Sequence, residues 1–224
     1  MAVILSIETS TSACSVALHE RNKLIADHEE HVPQSAAARL TPMIDDLFRT
    51  TGLDKSDLKA VAVSAGPGSY TGLRIGIATA KGICYALDIP LITLDSLHVL
   101  AGAVEPRPEG SLLCPMIDAR RMEVYTTLLT SSMTVIEGSH AHIVEKNSFS
   151  AHLERGPVMF FGTGAGKCRT VIRHPNAVFA AGYYPRAKAM IAQAFRKFET
   201  GDFADVRHFE PAYLKEFVAK TKKA

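Results

Sequence analysis

The stretch AVSAGPGSYTGLRIGIATAKGICYAL (residues 62–87) decides how this chain is organised. The apolar run that leads into it, 59–65, is typical of a short buried strand. The glycine-rich loop GPGSYTG (66–72) follows, and a helix is predicted over about 72–87. A buried strand, a glycine loop and a helix in this order predict a layered α/β fold, in which helices cover a sheet.

The segments on either side extend this pattern. In the first half the order is three strands, a helix, a strand, a helix, a strand and a short helix, predicted near 2–8, 14–19, 22–30, 39–51, 59–65, 72–87, 90–95 and 96–104. Pro42 fits best in the first turn of the first helix, or else it kinks the segment, and Gly52 is a suitable stop for the helix. The order indicates a mixed sheet.

A Pro- and Gly-rich connection, EPRPEG (105–110), predicts a boundary near residue 106. We therefore predict two α/β subdomains with mixed sheets, residues 1–106 and 107–224. Strands of the second subdomain are predicted near 112–118, 122–130, 133–137, 141–145, 158–162 and 177–181. A final helix begins at Pro185 and stops at Gly201, and the chain from 202 is predicted to be mostly irregular.

Composition excludes several classes of protein. The chain has 224 residues and a net charge of +2, with 25 Lys and Arg against 23 Asp and Glu, so it lacks the basic excess of a strongly electrostatic nucleic-acid binder. No apolar run is long enough to span a membrane, and the first residues do not resemble a signal peptide. The spacing of the four cysteines fits small core residues in a reducing compartment.

Two groups of residues are candidates for binding an anion or a nucleotide. Glu8, Thr9 and Ser10 follow the first strand, and Gly66, Gly68 and Ser69 lie in the glycine-rich loop. Backbone N–H groups at a strand–loop–helix junction favour phosphate. A tight structural turn is the alternative in both places, because the loop matches neither the P-loop pattern nor GxSxG. The second glycine turn, GTGAGK (162–167), also fails the P-loop pattern.

The helix predicted over 72–87 is apolar or small almost all round, so something must cover it on more than one side. Gly72, Gly76, Ala80 and Cys84 form a row of small residues that lets another backbone approach closely. Packing on the chain's own sheet explains this row, and so does a subunit interface shared with the helix before it. The candidate interface residues are Leu40, Met43, Ile44, Leu47, Arg74, Ile75, Ile77, Ala78 and Lys81.

Residues for direct catalysis are not evident. Asp118 lies between two strands and is expected to pair with Arg120 or to cap the turn. The histidines are scattered, His140 and His142 alternate on one predicted strand, and neither HxxxH nor HExxH occurs, so we expect no metal site. We also predict no catalytic residues, since no nucleophile stands in a Ser/His/Asp or Cys/His pattern.

The segments 4–18, 62–87, 89–97 and MIDARRMEVY (116–125) resemble the TsaB family, also called YeaZ. PAYLK (211–215) is similar to that family's C-terminal element, with Lys in place of Arg. Together these motifs extend over about the whole chain in the family's order. The resemblance implies an actin-like (ASKHA, ribonuclease H-like) fold, in which Glu8 and its neighbours stand where ATPases of this fold contact phosphate and Mg²⁺.

The resemblance also implies a function. TsaB-family proteins are non-catalytic subunits needed for N6-threonylcarbamoyladenosine at tRNA position 37, and they pair with a TsaD-like transferase and a TsaE-like ATPase. It implies that ATP or ADP and metal belong to those partners, with no cofactor on this chain, and that the helices near 36–51 and 72–86 form the dimer surface. Further expectations are a homodimer in isolation, tRNA contacted only indirectly, no membrane contact and a cytoplasmic location.

One departure separates the chain from TsaD. Where TsaD carries His-x-x-x-His, the segment from Asp95 to Leu100 has only His98, and that residue is offset. Three alternatives stay open at this point: a small actin-fold ATPase or kinase with its own nucleotide site, a metallopeptidase, and a self-associating protein with no enzyme partner.

Overall fold

The computed structural model describes residues 2–31 and 36–215, and its strands form two five-stranded sheets. The strands of the first sheet are β1 (Val3–Glu8), β2 (Cys14–Glu20), β3 (Lys23–Glu30), β4 (Leu58–Gly66) and β5 (Leu91–Asp95). Those of the second are β6 (Leu112–Asp118), β7 (Glu123–Leu129), β8 (Val135–Ile143), β9 (Val158–Phe161) and β10 (Ala177–Ala180). Both sheets are mixed, which confirms the α/β prediction.

The two sheets repeat one topology. In the first, β1 is central, β2 and β3 continue from it antiparallel, and β4 and β5 add on its other side in parallel, giving the order β3-β2-β1-β4-β5. In the second, β6 takes the central place, β7 and β8 form the antiparallel side, and β9 and β10 the parallel side. The two halves are therefore structurally related.

Helices cover the sheets. They are α1 (Ala36–Thr51), α2 (Tyr70–Leu87), α3 (Ser96–Gly102), α4 (Ser150–Leu153), α5 (Ala165–Cys168) and α6 (Ile191–Thr200), with short 3-10 helices at Lys55–Asp57 and Ala187–Met190. The apolar sides of α1 and α2 pack on one face of the first sheet, and Met190 and Ala194 pack on the other. Leu97 and Leu100 of α3 join the core of the second sheet, so α3 connects the two halves.

Three details differ from the sequence-based expectations. Pro42 lies inside α1, on its exposed side, because the helix begins at Ala36 rather than near 39. The segments 133–137 and 141–145, predicted as two strands, belong largely to one strand, β8, whose pairing with β7 shifts in register. The short helices α4 and α5 were not predicted, since four residues are too few to show a helical period.

Residues 202–215, which we call the C-terminal strap, return to the first sheet. The Ala204 N–H donates to Leu91 O (2.8 Å) and the Ala212 N–H donates to Ala65 O (2.7 Å). The division into 1–106 and 107–224 stays a prediction, and residues 216–224 lie outside the described part of the chain. The strap belongs to the second segment by its position in the sequence, but it binds the first sheet.

The row of small residues on α2 is explained by the loop after β1. A Cβ atom on Gly72 would collide with the carbonyl oxygen of Thr9, and one on Gly76 would collide with the Thr9 hydroxyl. Thr9 Oγ1 donates to Gly72 O (2.8 Å), which fixes this close approach. Gly72 and Gly76 therefore pack against Thr9 of the same chain, and Ala80 and Cys84 are buried in the core of the first sheet.

We predict opposite effects for two glycines of α2. Gly72→Ala should lower the free energy of unfolding by about 1–3 kcal/mol, because the added methyl group overpacks the site. Gly82→Ala should raise it by up to about 1 kcal/mol, because nothing lies within 4 Å of its Cβ position and alanine is the better helix former. Urea unfolding followed by circular dichroism measures both, and equal effects would contradict the proposed contact with Thr9.

Candidate functional site

The end of β1 carries a buried carboxylate. Glu8 is completely buried, Ser10 N–H donates to its Oε1 (2.6 Å), and the Ser64 hydroxyl of β4 donates to its Oε2. Burial raises the pKa of Glu8 above its ordinary value, while the hydrogen bonds from Ser10 and Ser64 act in the opposite direction. Ion pairs of Glu8 with Lys, Arg or His are absent from residues 2–31 and 36–215, so its carboxyl group is held by hydrogen bonds.

The glycine-rich loop (66–72) lies directly against Ser10, two residues after Glu8. Ser69 N–H donates to Ser10 O (2.7 Å), and a Cβ atom on Gly68 would collide with the same carbonyl oxygen. The Ser69 side chain caps α2 by accepting from Gly72 N–H (3.2 Å). The structure therefore brings together five of the six predicted anion-binding residues, Glu8, Thr9, Ser10, Gly68 and Ser69.

This arrangement does not favour an anion. The Ser10 carbonyl oxygen occupies the space over Gly68, and a phosphate on the loop would have to displace it. The sixth residue, Gly66, approaches the carbonyl oxygen of Ala212 in the strap. Its φ of 114° is one that residues with a Cβ rarely adopt. That the six residues bind an anion stays a prediction. The carbonyl oxygens of Ser10 and Ala212 beside the loop argue against it.

The predicted interface residues separate into two groups. Five of them are buried in the core of the first half: Leu40, Met43, Ile44, Leu47 and Ile77. The other four lie on the outside of α2, where Arg74 and Ala78 are exposed and Ile75 and Lys81 are partly exposed. The apolar stripe of α1 faces its own sheet, so we remove its four residues from the candidate interface and keep the five residues on α2, among which the buried Ile77 lies at the floor of a groove.

Arg74 and Lys81 hold the C-terminal strap. Arg74 Nε donates to the Tyr213 hydroxyl (3.0 Å), and its guanidinium carbon lies 4.0 Å from the centre of the Tyr70 ring. Tyr70 and Tyr213 are themselves 5.0 Å apart, centroid to centroid. Lys81 Nζ donates to two backbone carbonyl oxygens of the strap, Arg207 O (3.2 Å) and Phe209 O (3.0 Å). The side chains of Arg74 and Lys81 thus both bind the strap of their own chain.

The outside of α2 and the strap form one surface, which we call the α2 surface. A shallow groove in it is lined by Arg74, Ile77, Ala78, Lys81, Phe209 and Pro211. Tyr85, one turn beyond Lys81, is 77% exposed. No periodic pattern points to Phe209 and Pro211, and only the resemblance of PAYLK to a family element indicates this segment.

Other candidate residues have structural partners. Asp118 Oδ1 accepts from Arg120 N–H (2.8 Å), which confirms its capping role. His142 Nε2 lies 2.9 Å from Ser148 Oγ, and within residues 2–31 and 36–215 no three His, Cys, Asp or Glu side chains are grouped to hold a metal ion. The four cysteines are buried free thiols, and burial raises the pKa of Cys114 to about 12. Among the described helices, none is both long and apolar enough to cross a bilayer.

We predict that Glu8→Gln changes the pH dependence of stability. The glutamine amide can accept from Ser10 N–H and donate to the Ser64 hydroxyl, so both hydrogen bonds persist. In the parent, the folded pKa of Glu8 lies above the ordinary 4.5, so the folded state holds the proton more tightly. The parent's free energy of unfolding should therefore fall as pH rises above 4.5, until the folded carboxyl group is ionised.

Glu8→Gln has no carboxyl group at this position, so its free energy of unfolding should not fall with pH in this way. In urea unfolding between about pH 5 and pH 8, the stability of Glu8→Gln relative to the parent should therefore increase as pH rises. Glu8→Ala serves as a control. It leaves two buried hydrogen-bonding groups unpartnered, so it should be about 1–3 kcal/mol less stable than Glu8→Gln throughout the range. Parallel pH profiles for the parent and Glu8→Gln would show that the buried carboxyl group does not titrate differently in the two states.

Comparison with known proteins places these features in a family. The family model described as TsaD, tRNA N6-adenosine threonylcarbamoyltransferase, matches residues 30–222. The tRNA threonylcarbamoyladenosine biosynthesis protein TsaB of Escherichia coli K12 is 32% identical over 225 residues, covering 98% of this chain and 97% of that protein.

Solved structures agree. YeaZ from Pseudomonas aeruginosa superposes with a TM-score of 0.84 at 28% identity, covering 96% of this chain and 100% of that one. An activator of 2-hydroxyisocaproyl-CoA dehydratase from Clostridium difficile, with bound ADPNP, is 11% identical with a TM-score of 0.51, covering 89% and 97%. At 11% identity, the likeness to the activator shows the fold alone. The predicted actin-like fold is confirmed. This chain belongs to the TsaB (YeaZ) family of tRNA threonylcarbamoyladenosine biosynthesis proteins.

Proposed function

We propose that this chain is a non-catalytic subunit required for N6-threonylcarbamoyladenosine formation at tRNA position 37, and that it binds and activates or stabilises a TsaD-type transferase. One observation carries the proposal. The loop that would hold a nucleotide phosphate is filled by the Ser10 carbonyl oxygen, whereas the α2 surface is exposed. The chain thus presents a surface for a partner more readily than a site for a reaction.

The chemistry of the α2 surface supports a protein partner. Its centre is apolar and small, with Ala78, Phe209 and Pro211 around the groove, and its ends carry Tyr70 and Tyr85. Tyrosine is enriched in protein interfaces because it combines a large apolar ring with a polar tip. A subunit that docks here changes its partner's activity only if it contacts the partner's active and inactive states differently.

A second candidate is a small actin-fold ATPase or kinase with its own nucleotide site. The hydroxyl of Ser10 favours it, because that oxygen is buried beside Glu8 without a hydrogen-bond partner in the described part of the chain. A bound ligand or water would satisfy it. ATP hydrolysis by the isolated chain that disappears in Glu8→Gln would support this candidate over the first.

The remaining expectations follow from the proposed role. The partners are a TsaD-like transferase subunit and a TsaE-like ATPase, which supply the metal and the ATP or ADP. A homodimer of the isolated chain would use the same α2 surface, because an exposed apolar groove is buried by self-association when no other partner is present. A tRNA substrate implies a cytoplasmic location.

We predict that Arg74→Glu with Ala78→Glu abolishes pairing with the transferase. Both residues are exposed, so the core should stay folded, although Arg74→Glu also removes the hydrogen bond from Arg74 to Tyr213 of the strap. Two carboxylates buried in an apolar contact cost several kcal/mol. The dissociation constant for the TsaD-type protein of the same genome should rise by more than about a hundredfold, so that calorimetric titration no longer detects pairing.

The chain offers a matched control for this experiment. Ala192 and Arg196 of α6 are also exposed, four residues apart, so Ala192→Glu with Arg196→Glu makes the same charge change on another surface. This control should bind like the parent. An unchanged dissociation constant for Arg74→Glu with Ala78→Glu would exclude the α2 surface as the interface.

We further predict the effect on tRNA in cells. Depletion of the chain should remove threonylcarbamoyladenosine from total tRNA, measured by nucleoside mass spectrometry. Re-expression of the parent or of Glu8→Gln should restore it, since the proposed role needs no nucleotide chemistry at Glu8, and Arg74→Glu with Ala78→Glu should not. Unchanged modification after confirmed depletion would overturn the proposed function.

A further inference from the structure

The turn between β6 and β7 holds two consecutive arginines in a backbone conformation that favours glycine. Arg120 has φ 71° and Arg121 has φ 49°, in the left-handed region that residues with a Cβ seldom adopt. Hydrogen bonds fix this turn: Ala119 N–H donates to Glu123 O (3.1 Å) and Glu123 N–H donates to Arg120 O (3.2 Å). The turn is therefore held in one shape despite its backbone strain.

The carboxylates that flank the two arginines are already paired. Asp118 binds the ammonium group of Lys167, and Glu123 binds that of Lys215. Arg120 and Arg121 are both exposed, and within residues 2–31 and 36–215 neither guanidinium group has an ion-pair partner. Lys167 and Lys215 thus neutralise the two nearby carboxylates. The tip of the hairpin carries two positive charges, those of Arg120 and Arg121, that no ion pair neutralises in the described part of the chain.

We propose that Arg120 and Arg121 bind phosphodiester groups of an RNA backbone. A guanidinium group matches a phosphate with two parallel hydrogen bonds and is less strongly hydrated than an ammonium group. A protruding turn suits a backbone, which is contacted from outside, better than a small ligand, which needs a cavity. The choice of RNA rests on the proposed function, and it replaces the expectation that tRNA is contacted only indirectly.

The position of the turn supports this assignment. Tyr213 of the strap contacts Arg74 of the α2 surface, and Lys215, two residues later, contacts Glu123 beside the turn. Two residues extend at most about 7 Å, so the strap leads directly from the α2 surface to the first residue of β7, beside the turn. An RNA bound by the assembled complex would then lie next to the partner and to this turn together.

The test measures binding of an unmodified tRNA transcript to the full chain as a function of salt. Each phosphate contact steepens the fall of log K against log salt by about 0.7–0.9. The variant Arg120→Gly with Arg121→Gly removes both guanidinium groups and relieves the left-handed strain, so it should fold. Between about 50 mM and 200 mM salt, the parent should lose about tenfold more affinity than this variant does.

Two further variants separate local chemistry from net charge. Arg155→Ala with Arg196→Ala removes the same two charges from exposed positions elsewhere and should keep a salt slope near that of the parent. Arg120→Lys with Arg121→Lys keeps both charges and should restore most of the slope, since lysine binds phosphate as a point charge. Thermal unfolding of each variant confirms that it is folded.

The proposal is overturned if the glycine variant binds the transcript with the parent's salt slope, or if the parent does not bind it at low salt. It is also overturned if the glycine variant keeps RNA binding but loses the transferase, because the arginines would then serve a protein contact. The assay is independent of tRNA modification in cells. A steeper slope for the parent together with unchanged threonylcarbamoyladenosine after depletion would retain the RNA site and reject the proposed function.

Discussion

The contact between the loop after β1 and the first turns of α2 is the constraint on which the rest of the structure depends. Thr9 and Ser10 lie so close to Gly68, Gly72 and Gly76 that no Cβ atom fits at any of these three positions. The same contact seats Glu8 in a buried position between β1 and β4. It therefore sets the place of α2 on the sheet and closes the glycine loop, while the opposite side of α2 receives the strap.

The repeated topology shows how a small chain makes an actin-like fold. Each half needs only a central strand, an antiparallel hairpin on one side and two parallel strands on the other. α3 joins the halves, because its leucines pack into the second core. The strap adds an ion pair between them, Lys215 with Glu123 at the start of β7, whereas its backbone hydrogen bonds to Leu91 and Ala65 lie within the first half.

Much of this fold could be predicted from the sequence, because buried strands and amphipathic helices leave a period in the residue pattern. That pattern gave the element order of the first half and the apolar stripe of α1. An apolar stripe shows that a surface is buried but does not identify what covers it. Leu40 and Met43 were therefore candidate contacts for a partner, whereas the structure packs them on their own sheet. Arg74 and Lys81 were candidate contacts, but their partners are Tyr213 and two carbonyl oxygens more than a hundred positions away.

The attachment of the strap through Lys81 has a consequence for how such a surface can evolve. Lys81 Nζ donates to the backbone carbonyl oxygens of Arg207 and Phe209. Every amino acid offers the same carbonyl oxygen, so a substitution at the exposed position 207 leaves both acceptors of this anchor in place. The strap can therefore change the residues that it presents to the outside, and so follow changes in a partner, while its path over α2 stays the same.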